Sequence, residues 1–117
     1  MAAVKYDFTI EQGATTIKPF VWKSGEDVPV NLTGATVRMQ VRRSTSSSDV
    51  LLEASTANSR IQLDPLLGKF TLVLSATVTA AISWLTGVYD IEITASNGVV
   101  TRLVQGTITV SKEVTRD

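Results

Sequence analysis

No cysteine and no histidine occur among the 117 residues. The first absence removes any disulfide framework and thiolate chemistry; together the two remove the usual zinc ligands and the commonest general base. Charge of one sign is missing too, because eleven basic residues balance eleven acidic ones. A net charge of zero gives no broad attraction to nucleic acid or to an anionic membrane, and it permits close self-association. Long apolar runs are also absent. The start, Met1-Ala2-Ala3-Val4-Lys5-Tyr6-Asp7, lacks the apolar stretch of a signal peptide, and no segment approaches a membrane span. The expectation is a chain made and folded in a cytoplasm, with no membrane partner.

What is present is enough apolar material, 44% of the residues, to build one core without staples. The chain reads as a single domain over residues 1–117, with a loose polar tail at about 111–117 and no internal repeat. Its centre is Val28 to Arg43. From Ala35 onward the side chains alternate: Ala35, Val37, Met39 and Val41 on one side, Thr36, Arg38, Gln40 and Arg42 on the other. That is a strand with one buried face, and a one-residue slip would drive Arg38 and Arg42 into the core. Asn31-Leu32-Thr33-Gly34 just before it combines side chains that cap turns with a glycine free to take φ > 0.

The rest reads as short strands between turn signals. Tyr6, Phe8 and Ile10 alternate with polar neighbours in a first strand that Gln12-Gly13 ends. Thr15 to Trp22 contains Pro19, which cannot donate a ladder hydrogen bond, so this run belongs at an edge or carries a bulge. Ser24-Gly25-Glu26-Asp27 is a polar turn, and Ser44 to Ser48 a flexible polar loop. Val50 to Ala54, Arg60 to Leu63 and Lys69 to Leu74 are further strands, the last entered through an Asp64-Pro65-Leu66-Leu67-Gly68 turn. Ser75 caps a helical turn over Ala76 to Ile82 that is too short to stand alone. Val88 to Thr94 and Val99 to Val110, joined by Ser96-Asn97-Gly98, make the clearest hairpin.

About eight strands, with a helical turn before Gly87-Val88-Tyr89-Asp90, predict an all-β fold: an antiparallel immunoglobulin-like β-sandwich with one short helical turn. A small closed barrel is the other architecture the strand pattern allows. In such sandwiches a tyrosine at that corner hydrogen-bonds back to the preceding loop; Tyr89 is the candidate, its alternative being an ordinary core aromatic.

No catalytic, cofactor-binding or metal-ligating residue is expected. Gly68-Lys69 lacks the upstream glycine of a phosphate loop, and Phe70 stands where Ser or Thr would follow. Asp90 and Glu92 share a strand face, where they read as the solvated half of an amphipathic strand. Asn31-Leu32-Thr33 matches a glycosylation sequon, but the turn role is the expected one. Trp22 or Trp84, if exposed, would be a stacking platform for a sugar ring; core packing is the other use. Arg38, Arg42, Arg43 and Lys23 form at most a local basic patch without interleaved aromatics, so no nucleic-acid partner is expected.

The run Val28-Pro29-Val30-Asn31-Leu32-Thr33-Gly34-Ala35-Thr36-Val37 resembles the P-V-D-L-T-G-A-T-V signature of the N-terminal domain of baseplate upper proteins from tailed bacteriophages. Gly68-Lys69-Phe70-Thr71, the Gly87-Val88-Tyr89 corner and the Asn97-Gly98 hairpin extend the likeness from about Tyr6 to about Val110. Asn31 departs from the aspartate usual in the signature. The larger baseplate proteins continue into a helical linker and a receptor-binding region that this sequence does not reach. The resemblance thus implies a structural virion protein, an assembly module in the tail or baseplate region, made in the host cytoplasm and not an enzyme. Its implied partners are other phage structural proteins and copies of itself in a homo-oligomer. Contact elements expected for it are the Pro19 edge strand, the loop from Ser44 to Asp49 and the two tails. The alternatives are a carbohydrate-binding module and a head decoration or connector protein.

Overall fold

A computed structural model of the chain describes residues 3–116. Its strands are β1 (Val4–Lys5), β2 (Phe8–Glu11), β3 (Thr16–Val21), β4 (Thr36–Arg42), β5 (Val50–Ser55), β6 (Ile61–Asp64), β7 (Lys69–Leu74), β8 (Thr86–Thr94) and β9 (Val100–Ser111). A 3-10 turn, Pro65–Leu67, precedes β7, and one helix, α1 (Ala76–Ala80), follows it. The larger sheet runs β1 and β2, then β9, β8, β4 and β5; the smaller runs β3, β7, β6. The two pack face to face as an immunoglobulin-like β-sandwich, and their separateness excludes the closed barrel.

The alternation in the central strand places Val37, Met39 and Val41 in the core with Leu72, Leu74, Ile91, Ile93 and Ile108. Thr36 and Arg38 lie outside, while Ala35 is half-buried and precedes the strand. The turn feeding β4 has the anticipated chemistry. The Asn31 side-chain oxygen accepts from the Thr33 N–H at 2.9 Å and from its hydroxyl at 2.6 Å, and Ala35 N–H donates to the Leu32 carbonyl at 2.9 Å. Gly34 takes φ +78°, with Ser96 Cβ only 3.0 Å from where a Cβ would stand.

One expectation fails at the N-terminus. The alternating run from Tyr6 to Ile10 is not one antiparallel strand: β1 and β2 both pair parallel to β9, Val4 with Val104 and Phe8 with Ile108. Between them the ladder is interrupted, because Tyr6 N–H still donates to the Gln105 carbonyl but Thr107 N–H donates instead to the Asp7 carboxylate, at 2.8 Å. The Tyr6 carbonyl, freed by that exchange, accepts the Tyr89 hydroxyl. Tyr89 therefore does not reach back to its preceding loop, and ties the N-terminal segment to β8. A side chain at Gly106 would overlap the Tyr6 carbonyl, so only glycine permits this approach.

Beside this junction an aromatic series bridges the sheets. Tyr89 packs edge-on to Phe8, Phe8 stacks with Tyr6, Tyr6 meets Phe20 edge-on, and Phe20 stacks on Phe70, with centroids 5.3 to 5.9 Å apart. In β3 it is Thr16, Lys18 and Phe20 that turn toward the sheet gap, and the Lys18 ammonium lies 5.4 Å from the Phe8 ring centre. Ile17 and Val21 face outward.

Five residues are too few for an independent helix, and α1 is held by polar contacts. Ser75 Oγ accepts from Val78 N–H as its N-cap. The fully buried Thr79 hydroxyl donates to the Ala14 carbonyl at 2.8 Å and accepts from Gly13 N–H at 3.0 Å. Gln12 adds a bond to the Ile82 carbonyl, and its other amide atom accepts from Glu113 N–H. The end of the chain, expected to be loose, is thus fastened at Glu113; Asp117 lies outside the described residues.

Gly34→Val is expected to cost about 1 to 3 kcal/mol in chemical denaturation, since a β-branched side chain is strained at this φ and meets Ser96; parent-like stability would show that the turn can re-form otherwise. Burial raises the pKa of the Tyr89 hydroxyl well above the ordinary phenol range, and charge at Tyr6 and Asp7 adds to the effect. The folded chain therefore keeps a proton that the unfolded chain releases near pH 10, so this contribution is complete below about pH 10 and is lost above it. Tyr89→Phe should lower stability at neutral pH by about 1 to 2 kcal/mol and flatten the alkaline fall. An unchanged alkaline limb would exclude Tyr89 as its source.

Candidate interaction surfaces

The outer face of the larger sheet is built from the polar half of each alternating strand. Register places Arg38 beside Glu92 and Glu92 beside Arg102, and in the next row Gln40 beside Asp90 and Asp90 beside Gln105. These side chains, with Lys5 and Arg42, line a shallow concavity of about 560 Å³. Asp90 pairs with Arg102 at 3.4 Å, and Arg38 with Glu53 at 3.2 Å. Glu53 also accepts from the Gln40 amide at 2.7 Å, while Arg42 bonds the Gln40 oxygen and the Ser47 carbonyl. The Gln40 amide, aided by the Arg38 guanidinium, holds the Glu53 carboxyl below its usual range.

The face is thus a solvated network of matched charges. Asp90 and Glu92 keep the role expected of them, the outer half of an amphipathic strand. The basic patch is not assembled as a unit: Arg38 and Arg42 are engaged on this face, while Lys23 pairs with Asp27 at 3.3 Å in the loop after β3. Among the described residues no group of three acidic side chains is placed to hold a metal ion, and no helix is long and apolar enough to cross a membrane. Trp84 is buried in the core and Trp22 is half-buried against it, so neither is an open stacking platform. The Ser44 to Asp49 loop is folded on itself through Ser47, which binds Ser44, Arg42 and Asp49.

Sheet edges are the other surfaces through which strands recruit partners. Trp22 N–H donates to the Gly68 carbonyl, so by alternation Ile17, Pro19 and Val21 point their backbone groups to the free side of β3. Pro19 removes the central donor of that row, so this edge offers a partner strand an incomplete ladder. On β5, Asn58 and Arg60 side chains cap the outward Glu53 carbonyl at 3.1 and 3.0 Å, and Asn58 accepts from Ser55 N–H at 2.9 Å. The β6 edge has four residues, and the edge formed by β1 and β2 is interrupted at Tyr6 and Asp7. Sequence reasoning missed the Asn58 and Arg60 cap; Asn58, in a Ser-Thr-Ala-Asn-Ser run, reads only as a turn former.

Among the described residues twelve large apolar side chains are exposed, and five of them lie on loops at one end. The loop between β3 and β4 carries Val28, the 3-10 turn carries Leu66 and Leu67, and the β8–β9 hairpin carries Val99 and Val100, each more than half exposed. Leu32 N–H on the Pro65 carbonyl joins the first two loops, and the Gly34 approach to Ser96 joins the first and third.

Replacing Arg38 tests the outer face. Arg38→Gln should change stability by no more than about 0.5 kcal/mol, because its ion pair is exposed. Arg38→Glu, which sets like charges beside Glu53 and Glu92, should cost up to about 1 kcal/mol. Since the Glu53 pKa is depressed by folding, its contribution is present above its unfolded value and is lost as pH falls through the folded one. An acid limb identical in parent and Arg38→Gln would count against this pairing.

No family model and no curated protein matches the chain. Among solved structures, it is similar to extracellular domains 3–5 of Drosophila OTK, at 11% identity and a TM-score of 0.38. The alignment covers 94% of this chain and 33% of that one, so the chain spans about a third of that structure's length.

Proposed function

We propose that this chain is a structural module of a tailed-phage particle in the tail or baseplate region, acting without catalysis of its own by packing against copies of itself and neighbouring tail proteins. The observation that carries this reading is the distribution of its surface. Charged groups on the sheet face are matched with one another, whereas apolar groups from three loops are left uncovered at one end. Such a surface is suited to packing and offers no activated nucleophile. The signature residues Asn31 to Gly34 support the resemblance in a further way: they do the structural work, an Asn-capped turn and a left-handed glycine, that a fold-forming signature requires.

A carbohydrate-binding module would need an open tryptophan, and Trp22 and Trp84 both pack on the core. Mass spectrometry of purified particles from the encoding phage should detect the chain, in copy numbers that are multiples of three or six. Separated tails and heads then distinguish a tail module from a head decoration protein. Absence from purified particles would overturn the assignment.

A further inference from the structure

We propose that the tip of the β8–β9 hairpin is a site of spontaneous covalent modification, at which Asn97 closes on the Gly98 peptide nitrogen and is converted, with loss of ammonia, to aspartate and isoaspartate. Both residues are exposed, and Gly98 takes φ +90° with no atom within 4 Å of where its Cβ would stand. Neither a side chain of its own nor a neighbouring segment at that position crowds the Gly98 peptide. Val99 N–H donates to the Asn97 side-chain oxygen at 3.0 Å. The ring closed by that bond runs through Cγ, Cβ, Cα and the carbonyl carbon of Asn97 and the nitrogen of Gly98, the five atoms that an imide ring joins. The side chain is thus already curled back toward the nitrogen that attacks it, and the same N–H stabilises negative charge as it develops on Oδ1.

Water is the sole co-reactant. The Gly98 nitrogen attacks Cγ, the N–Cγ bond forms and the Cγ–Nδ2 bond breaks, and the proton lost from Gly98 N–H leaves with Nδ2 as ammonia. Water then opens the imide. Cleavage of the new N–Cγ bond gives aspartate; cleavage of the bond to the main-chain carbonyl of Asn97 gives isoaspartate, with the chain rerouted through the side chain. Either way an amide NH2 is exchanged for an OH that ionises, so a chain of net charge zero gains one negative charge. That charge lands on a tip that holds no ionisable side chain from Thr94 to Thr101. The gating step is local: Gly98 N–H donates to the Ala95 carbonyl at 2.9 Å, and an exposed hairpin tip releases this bond without the sheets separating. The other two asparagines are held differently. Asn58 accepts from Ser55 and Arg60 N–H while its amide nitrogen donates to the Glu53 carbonyl. Asn31 is followed by the buried Leu32, whose N–H is bonded to the Pro65 carbonyl.

Incubation of the purified chain at mildly alkaline pH, followed by peptide mass spectrometry, is expected to show the amide-to-acid mass gain at Asn97 while the peptides holding Asn31 and Asn58 stay unchanged. Fragmentation that distinguishes the two isomers should find isoaspartate as well as aspartate, and anion exchange should resolve a species one charge more negative. Asn97→Gln, whose longer side chain does not close a five-membered ring, should lose the charge variant over the same interval. Tyr89→Phe, which lowers overall stability and leaves the tip as it is, should react at the parent rate. No gain at Asn97, an equal gain at all three asparagines, or a rate in Tyr89→Phe raised about five- to thirtyfold, as a reaction through the unfolded chain requires, would overturn the proposal. The reaction belongs to the chain alone and is independent of its place in a particle.

Discussion

The exchange of partners at Tyr6 and Asp7 is the constraint on which the sandwich depends. A parallel ladder would give the Thr107 N–H to the Tyr6 carbonyl; the Asp7 carboxylate takes that donor, and the Tyr89 hydroxyl takes the vacated acceptor. No buried side-chain polar atom among the described residues is left without a partner, as a low-dielectric interior requires. The exchange lets the N-terminal segment change direction without leaving β9. It thereby brings Tyr6, stacked on Phe8, to Phe20 of the other sheet, so one exchange of polar partners positions the aromatic series that bridges the two sheets on that side.

The same economy governs the opposite end of the aromatic junction. Helix α1 has no length of its own to stand on, and Thr79 and Gln12 bind it to the turn between β2 and β3. Gln12 simultaneously fixes Glu113. Three segments distant in sequence share one small polar cluster that fastens α1 and the segment after β9 to the turn between β2 and β3, while Leu85 and Val114 close by stay exposed.

Features with a local cause were legible in the sequence. The face of β4, the Asn31 turn, the Ser75 cap, the Asn97-Gly98 hairpin and the edge position of β3 follow from periodicity or from chemistry within four residues. Partners chosen across the fold were not legible. Asp7 reads as an ordinary solvent-facing residue between Tyr6 and Phe8, and nothing in its neighbourhood records that Thr107 will need an acceptor. Tyr89 was marked by its corner, but its partner was fixed by the parallel pairing of β1, which has no local signal. The outward turn of Ile17 and Val21 was hidden likewise, since their apolar character alone does not show which face of β3 meets the core. The apolar end is a sum over three separate loops, each unremarkable by itself.

The parallel pairing of the first strands with the last has a consequence for how the chain is made. Val4 pairs with Val104 and Ile10 with Val110, a separation of 100 residues in each case. Loop-closure entropy must be met before these contacts form, and contacts of such range slow folding. During synthesis β1 and β2 leave the ribosome well before β9, the strand they dock against. Phe8 and Ile10, both core residues in the finished sandwich, therefore wait without their native partners until β9, about a hundred residues further on, has been made.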